Sequence, residues 1–334
     1  MYEKFYGLNE LPFELTANPK YLYLSATQRE AFSNLQYGLF ASKPLTLLIG
    51  EAGTGKTTLI QAALESDLCR QVRCVYLNNP TLRPDDFVRL LAFKFELGDD
   101  AAESKAVLLQ RLEAKLRESS DAGLVTALVV DEAQSLSHEM LEEIRLLANI
   151  ETPTLKLLPV VLAGQPELAA RLDQPELRQL KQRVTLRAVL QPLELEETAA
   201  YIANRIAVAG GVPGKIFSLE AVTLIHEYSG GIPRTISVIC DNVLVNGMAL
   251  GRQLVNRAAV VDVCRDLQLE PRLGRSAPAA HRDRAAVRPD SGNIPPIEQS
   301  KTNEPSEPAQ GPTRSDRHRA GLIATVTRVG RTIT

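Results

Sequence analysis

Apolar runs and helical segments alternate along the chain between residues 45 and 190. The runs are nearly continuous in Val, Leu and Ile, which is typical of strands buried on both faces of a parallel sheet. They cover Leu45–Gly50, Val72–Asn78, Val125–Asp131, Lys156–Ala163 and Val184–Leu190. Apolar residues at helical spacing lie between them, at Pro84–Phe95, Lys105–Glu118 and Ser137–Ile150. The alternation predicts an α/β fold with a parallel sheet, helices on both of its faces, and a ligand at the C-terminal ends of its strands.

Beyond residue 193 the spacing of apolar residues is helical only. Four helices are predicted there, at Glu194–Ala209, Ser218–Tyr228, Pro233–Leu250 and Val255–Leu267. Glycine pairs at 210–211 and 230–231 end two of these segments. The simplest arrangement is an all-α lid domain over residues 193–268, which follows an α/β domain over residues 44–192.

The two ends of the chain differ from this middle part. Residues 1–43 are rich in aromatic side chains and include a predicted helix, Ser25–Phe40, with Ser25 or Thr27 as its cap. We expect this segment to pack on the α/β domain, mostly as core. Residues 269–334 hold eight prolines, many arginines and no aromatic residue, which predicts a disordered tail. An apolar stretch at 321–327 could become ordered on a partner, but a frayed terminus is the stronger interpretation.

Charge and cysteine content exclude several broad classes of protein. The 334 residues carry a formal net charge of −2, which divides into about +5 for residues 271–334 (eleven Lys/Arg, six Asp/Glu) and about −7 for the rest. An acidic body argues against a broad nucleic-acid-binding surface. Four cysteines predict neither a disulfide framework nor a zinc site. The sequence shows no signal peptide and no apolar stretch of about eighteen residues, so we expect a cytoplasmic protein.

The segment from Gly50 to Thr57 fits the phosphate-loop pattern GxxxxGK followed by Ser or Thr. It lies between a predicted strand and a predicted helix, so successive backbone N–H groups and the helix dipole point at one place. Lys56 can reach the β- and γ-phosphates, and the Thr57 hydroxyl can bind Mg²⁺. The predicted phosphate-binding residues are Gly50, Glu51, Ala52, Gly53, Thr54, Gly55, Lys56, Thr57 and Thr58.

A second motif, Asp131-Glu132, ends the apolar strand that begins at Val125. Two adjacent carboxylates at the C-terminal end of a buried strand indicate a bound cation or solvent partner. Asp131 is the predicted Mg²⁺ ligand, and Glu132 is the predicted general base that activates the attacking water. Together the two motifs predict a nucleoside-triphosphate hydrolase. No guanine-reading NKxD motif is present, which mildly favours ATP.

Three further polar residues are candidates for contacts with the phosphates. Gln165 follows the predicted fourth strand, where its amide could contact the γ-phosphate and water. Arg183 precedes the last strand and could project into a neighbouring subunit's γ-phosphate, with Arg178 and Arg187 as rivals. Arg234 lies in the first turn of a predicted lid helix, where a cation calls for a compensating anion such as phosphate.

Several segments together resemble one known family. They are MYEKFYGL, LLIGEAGTGKTTL, VVDEAQ, LAGQPEL and SGGIPR. Over about residues 1–265 the chain resembles the ExeA-like AAA+ ATPases of secretion and exopolysaccharide or exosortase loci. The resemblance implies ATP and Mg²⁺ as cofactors and an oligomer with an arginine finger in trans at Arg183. It also implies sensor 1 at Gln165 and sensor 2 at Arg234.

Secretion members of this family typically continue into a transmembrane helix and a peptidoglycan-binding module, and this sequence shows neither. We therefore expect a cytoplasmic ATPase, peripheral to the inner membrane face through a protein partner of an export or polysaccharide locus. The alternative is a DNA-acting ATPase of the transposition-helper or origin-recognition type, for which Arg282, Arg284 and Arg288 could supply phosphate contacts. A scaffold that binds nucleotide without hydrolysis is a third class, and the intact Glu132 argues against it.

Overall fold

A parallel sheet of five strands forms the centre of the α/β part. The computed structural model describes residues 1–16, 18–78 and 83–272. The strands are β1 (Leu45–Gly50), β2 (Val72–Asn78), β3 (Val125–Asp131), β4 (Val160–Gly164) and β5 (Val184–Leu190). Their order across the sheet is β2-β3-β4-β1-β5, and every pair of neighbours is parallel. The predicted α/β fold is confirmed, and four of the five strands have the predicted bounds.

The strand order places three strand ends side by side. β4 lies between β3 and β1, so Asp131, Gly164 and Gly50 end adjacent strands. Because all strands are parallel, these ends meet at the same edge of the sheet. The phosphate loop, the acidic pair and Gln165 therefore leave the sheet at one place.

The fourth strand is shorter than predicted. β4 begins at Val160, whereas the sequence predicted a strand from Lys156. Pro159 has no N–H to donate to a ladder, so it marks the boundary. Its carbonyl accepts a hydrogen bond from the N–H of Leu128, and Lys156 forms only an isolated antiparallel bridge with Glu151.

Helices cover both faces of the sheet and form the rest of the described part. In the α/β part and before it they are α1 (Glu3–Tyr6), α2 (Ala26–Phe40), α3 (Lys56–Glu65), α4 (Pro84–Lys94), α5 (Asp99–Glu103), α6 (Lys105–Asp121), α7 (His138–Leu147), α8 (Pro166–Leu172) and α9 (Arg178–Lys181). After β5 they are α10 (Leu195–Val208), α11 (Pro213–Ile216), α12 (Leu219–Ser229), α13 (Pro233–Ala249) and α14 (Arg257–Asp266). Ser25 caps α2 in a capping box with Gln28.

Three buried clusters hold these layers together. Leu45, Leu128 and Leu162 belong to a cluster on one face of the sheet, which also packs α4, α6 and α7. Leu48 and Val161 belong to a second cluster on the other face, with α2 and α3. A third cluster lies among α10, α12, α13 and α14. The helical part therefore has a core of its own.

The N-terminal segment is divided between these cores, which corrects the prediction that all of residues 1–43 packs on the α/β domain. Tyr2, Leu8 and Phe13 are buried in the cluster of the helical part. The aromatic ring of Phe13 meets that of Phe217 edge to face, with centroids 6.1 Å apart. Only α2 and the residues just before it pack on the sheet. These apolar side chains are stabilised by burial, and the cluster of the helical part offers the apolar surface against which they are buried.

The helical part extends slightly beyond its predicted end. Leu269 packs against the third cluster, and the N–H of Arg272 donates to the carbonyl of Glu227 at 2.9 Å. The rest of the predicted tail, with Arg282, Arg284, Arg288 and the 321–327 stretch, lies outside the described residues. Among the helices of the described ranges, none has the length and apolar character needed to cross a membrane.

Candidate active site

The phosphate loop between β1 and α3 takes its shape from local backbone geometry. Gly53 and Gly55 have φ angles of 82° and 96°, a region that favours glycine. Thr54 is buried, and its hydroxyl donates to the carbonyl of Glu51 at 2.8 Å. A Cβ on Gly50 would lie 2.6 Å from Oγ1 of Thr54, so the two ends of the loop pack closely. The loop therefore turns tightly between β1 and α3.

Lys56 is the first residue of α3 and lies inside this loop. Its Nζ donates to the carbonyls of Gly50 at 2.8 Å and Glu51 at 3.1 Å. Burial lowers the pKa of Lys56, and the negative charges of Glu132 and Asp131 oppose that shift. The ammonium group and the positive end of α3 thus face the same small volume.

Asp131 receives hydrogen bonds from two hydroxyl groups. Thr57 Oγ1 donates to Oδ2 of Asp131 at 2.5 Å, which joins the phosphate loop to the end of β3. The hydroxyl of Tyr76 donates to the same oxygen at 2.8 Å. Burial and the adjacent Asp131 charge raise the pKa of Tyr76, so this hydroxyl stays a donor. Tyr76 was not predicted, because its contact with Asp131 depends on the pairing of β2 with β3, where Tyr76 lies beside Val129.

Glu132 follows Asp131 in a left-handed backbone conformation, with φ of 53°. Its Oε2 accepts hydrogen bonds from the amide nitrogens of Gln134 at 2.5 Å and Gln165 at 3.3 Å. The structure therefore brings the predicted general base and the predicted sensor together. Gln134 was not predicted, although it lies within the VVDEAQ segment.

The helical part contacts the phosphate loop directly through the start of α13. The N–H of Arg234 donates to the carbonyl of Gly53 at 3.1 Å. A Cβ on Gly53 would lie 2.8 Å from Cβ of Arg234, so the two main chains are in close contact. Arg234 and Lys56 thereby line the same cavity at the predicted phosphate site.

A cavity of about 300 Å³ lies between the loop and the helical part. Its walls include Lys56, Thr57, Glu132, Arg234 and Ser237. The N-terminal segment closes one side through residues 14–16. A smaller adjoining cavity of about 50 Å³ is lined by aromatic and apolar side chains, among them Tyr21, Tyr23, Leu190, Tyr201 and Pro233.

Arg205 of α10 lines both cavities and forms a hydrogen bond with the N-terminal segment. Its Nη1 donates to the carbonyl of Pro12 at 2.7 Å. Its guanidinium lies 5.2 Å from the ring centroid of Tyr21 and 5.0 Å from that of Tyr201, within the range of cation–π attraction. Neither Arg205 nor Tyr201 was among the predicted site residues, because their contacts join distant parts of the chain.

Arg183 lies away from this cavity. It precedes β5, whose first residue Val184 pairs with Leu45 and whose last residue Leu190 pairs with Gly50. Seven residues of strand at about 3.3 Å each place the start of β5 roughly 20 Å from the phosphate loop of the same chain. Arg178 and Arg187 are exposed on α9 and β5. None of these three arginines lines the cavity. Asp131 and Gln165 do not line it either, but they contact its wall residues Thr57 and Glu132.

The residues at the cavity fit a nucleoside triphosphate and Mg²⁺. Lys56 and Arg234 supply two cations beside the loop, and the cavity continues into the aromatic one. Mg²⁺ binds oxygen atoms and usually keeps phosphate and water ligands besides one or two from the protein. The hydroxyl of Thr57 and the carboxylate of Asp131, 2.5 Å apart, are a donor set of that kind.

Fold and site together define a P-loop nucleotide-binding protein with an AAA+ fold. The family model described as AAA domain matches residues 41–172. A solved structure of the Aeropyrum pernix ORC2 protein aligns with a TM-score of 0.58 at 16% sequence identity, covering 77% of this chain and 72% of that one. At that identity the likeness concerns the fold.

The sequence relatives make this similarity more specific. General secretion pathway protein A of Aeromonas hydrophila is 43% identical over 251 residues, which are 75% of this chain and 46% of that protein. The Mu-like prophage DNA transposition protein B of Haemophilus influenzae is 26% identical over 62% of this chain and 68% of that protein. Over three quarters of its length the chain resembles the ExeA-like AAA+ ATPases, and it spans about half the length of its Aeromonas relative.

Proposed function

We propose that this protein hydrolyses ATP with Mg²⁺ and acts as a nucleotide-switched oligomer. The observation that carries the proposal is the meeting of Lys56, Thr57 and Glu132 at one cavity. Asp131 is hydrogen-bonded to Thr57, and Arg234 of the helical part contacts the same loop. Lys56 and the loop amides bind the phosphates, and Thr57 and Asp131 hold Mg²⁺, which supplies charge neutralisation at the phosphates. Glu132 takes the proton of the attacking water.

Gln165 and Arg234 then couple hydrolysis to the arrangement of the α/β part and the helical part. Gln165 contacts both the water and Glu132, and Arg234 binds the phosphates from the helical part. Loss of the γ-phosphate removes a contact shared by the loop and α13, which favours a different angle between the two parts. In this proposal, a protein partner binds one of the two arrangements better than the other, so its binding depends on the nucleotide state.

Phosphate release measured with and without Mg²⁺ tests the hydrolytic activity. Lys56→Ala should abolish both ATP affinity and turnover. Glu132→Gln should keep ATP affinity but lower turnover at least about 100-fold. The exposed Lys94→Ala and Glu103→Gln are matched controls and should match the wild type. Wild-type turnover in Glu132→Gln would remove Glu132 from the mechanism.

Arg183 acts in trans in this proposal, because about 20 Å of strand separates it from its own phosphate loop. A mixing experiment tests this directly. Arg183→Ala has an intact phosphate loop, and Lys56→Ala has an intact arginine. Each should be inactive alone, whereas their mixture should recover part of the wild-type rate. Arg178→Ala and Arg187→Ala, each mixed with Lys56→Ala, identify the finger if Arg183 is not the one.

The process served is, in this proposal, export of protein or exopolysaccharide, at the cytoplasmic face of the membrane through a protein partner. The support is the identity to general secretion pathway protein A over 75% of this chain. A strain that carries Glu132→Gln in place of the wild type should accumulate the exported material inside the cell. Normal export in that strain would exclude this role.

A DNA-acting ATPase is the second candidate, and the similarity to DNA transposition protein B favours it. Salt-titrated DNA binding with and without ATP distinguishes the two. Tight ATP-dependent binding that survives deletion of residues 273–334 would favour the second candidate. Binding that is weak, independent of ATP and lost with that deletion would favour the first.

A further inference from the structure

Gln134 makes the shorter of the two amide contacts to the carboxylate of Glu132. It lies in the 3-10 turn Ala133–Ser135, directly after the acidic pair. Its Nε2 is 2.5 Å from Oε2 of Glu132, against 3.3 Å for Nε2 of Gln165. The proposed function assigns no role to this side chain.

Main-chain geometry determines which way the amide of Gln134 points. The N–H of Gln165 can only donate, so the atom of Gln134 that faces it at 3.1 Å must be the oxygen, Oε1. The NH₂ group is then directed at Glu132. A Cβ on Gly164 would lie 2.9 Å from the same Oε1, so the side chain packs tightly against the end of β4. The amide therefore holds Glu132 from a fixed position.

Helix α8 holds Gln134 from both of its ends. Gln165 precedes the first residue of α8 and binds the side chain of Gln134. Arg171, in the last turn of α8, donates through Nη1 to the carbonyls of Gln134 at 2.8 Å and Leu136 at 2.7 Å. Glu132 itself has a left-handed backbone, which is strained in a non-glycine residue and persists only when its surroundings hold it.

We propose that Gln134 is a positioning residue for the general base Glu132, and that α8 sets its position. The inference rests on the proposed ATPase function. The amide of Gln134 holds one carboxylate oxygen and so determines the direction in which the carboxylate faces. When the side chain of Gln165 turns to contact phosphate, Gln134 keeps the carboxylate of Glu132 in place, because α8 still holds Gln134 through the N–H of Gln165 and through Arg171.

A double-mutant cycle between Gln134 and Glu132 tests the proposal. Gln134→Met keeps the length of the side chain and removes both amide contacts. It should lower the single-turnover rate about 10- to 100-fold and change the affinity for a non-hydrolysable ATP analogue by less than about twofold. In the Glu132→Gln background the same change should alter the residual rate by less than about twofold, because no carboxylate is left to orient.

A wild-type rate in Gln134→Met, or the same fold loss in both backgrounds, would overturn the inference. Arg171→Met, which loosens the turn from the other end of α8, should show the same loss and the same non-additivity. Gln110→Met, exposed on α6, is the control and should keep the wild-type rate. Absence of hydrolysis by the wild type would overturn the proposed function as well, whereas an active wild type with additive losses overturns only the role of Gln134.

Discussion

Replacing Gly53 with alanine tests the contact between the phosphate loop and the helical part. Gly53 has φ of 82°, and an added Cβ would lie 2.8 Å from Cβ of Arg234 and 3.1 Å from Cγ2 of Ile232. A left-handed alanine costs about 1–2 kcal/mol, and overpacking of a buried contact costs about 1–3 kcal/mol. Gly53→Ala should therefore lower the free energy of unfolding by about 2–5 kcal/mol.

Two other glycines separate the backbone effect from the steric one. Gly55 has φ of 96°, but a Cβ there meets no atom of the described residues within 4 Å, so Gly55→Ala should cost only about 1–2 kcal/mol. Gly214 has no positive φ, and a Cβ there also meets no atom of the described residues within 4 Å. Gly214→Ala should therefore change the free energy of unfolding by no more than about 0.5 kcal/mol. Urea unfolding without nucleotide measures all three. Equal losses for Gly53→Ala and Gly55→Ala would refute the close contact with α13.

Three further predictions concern folding. Tyr76→Phe removes one hydroxyl donor from Asp131 and should lower the free energy of unfolding by about 1–3 kcal/mol; no loss would mean that the contact is not formed. Ser25→Ala removes the cap of α2 and should cost about 0.5–2 kcal/mol in urea unfolding, with the half-buried Ser120→Ala in α6 unchanged. Burial raises the pKa of Cys74 from 9.0 to about 12, so the unfolded state loses the thiol proton first and stability falls as pH rises above 9. Urea titrations across that range should show a weaker fall in Cys74→Ala, and an equal fall would contradict the assignment.

Much of the fold follows from short-range pattern. Strands such as β1 and β3 were predictable because a strand buried on both faces must be apolar throughout. Lys56 and Asp131 were predictable because their motifs carry their own local context of strand, loop and helix. The start of β4 was wrong because the apolar run continues through Pro159, whose missing N–H outweighs the pattern.

The rest depends on contacts between parts far apart in the chain. Tyr2 is buried in the core of the helical part, and this contact joins the start of the chain to helices that follow about 190 residues later. Tyr76 meets Asp131 because β2 lies beside β3, which a strand pattern alone does not reveal. The contact of Gln134 with Glu132 needs the left-handed turn between them. Local patterns locate the phosphate loop. The side chains that orient Asp131 and Glu132 can be identified only once the strands are placed side by side in the sheet.

Within the described ranges the sheet and the helical core are joined by two short stretches of chain. One lies between Phe13, buried in the helical core, and Tyr21, which ends the turn before α2. The other lies between Leu190 at the end of β5 and Leu193 in the helical core. Because both stretches are covalent, the helical part stays tethered to the sheet at two points even when the contact between Arg234 and Gly53 is lost. Cleavage of the chain within the first stretch would leave the second as the remaining covalent tether.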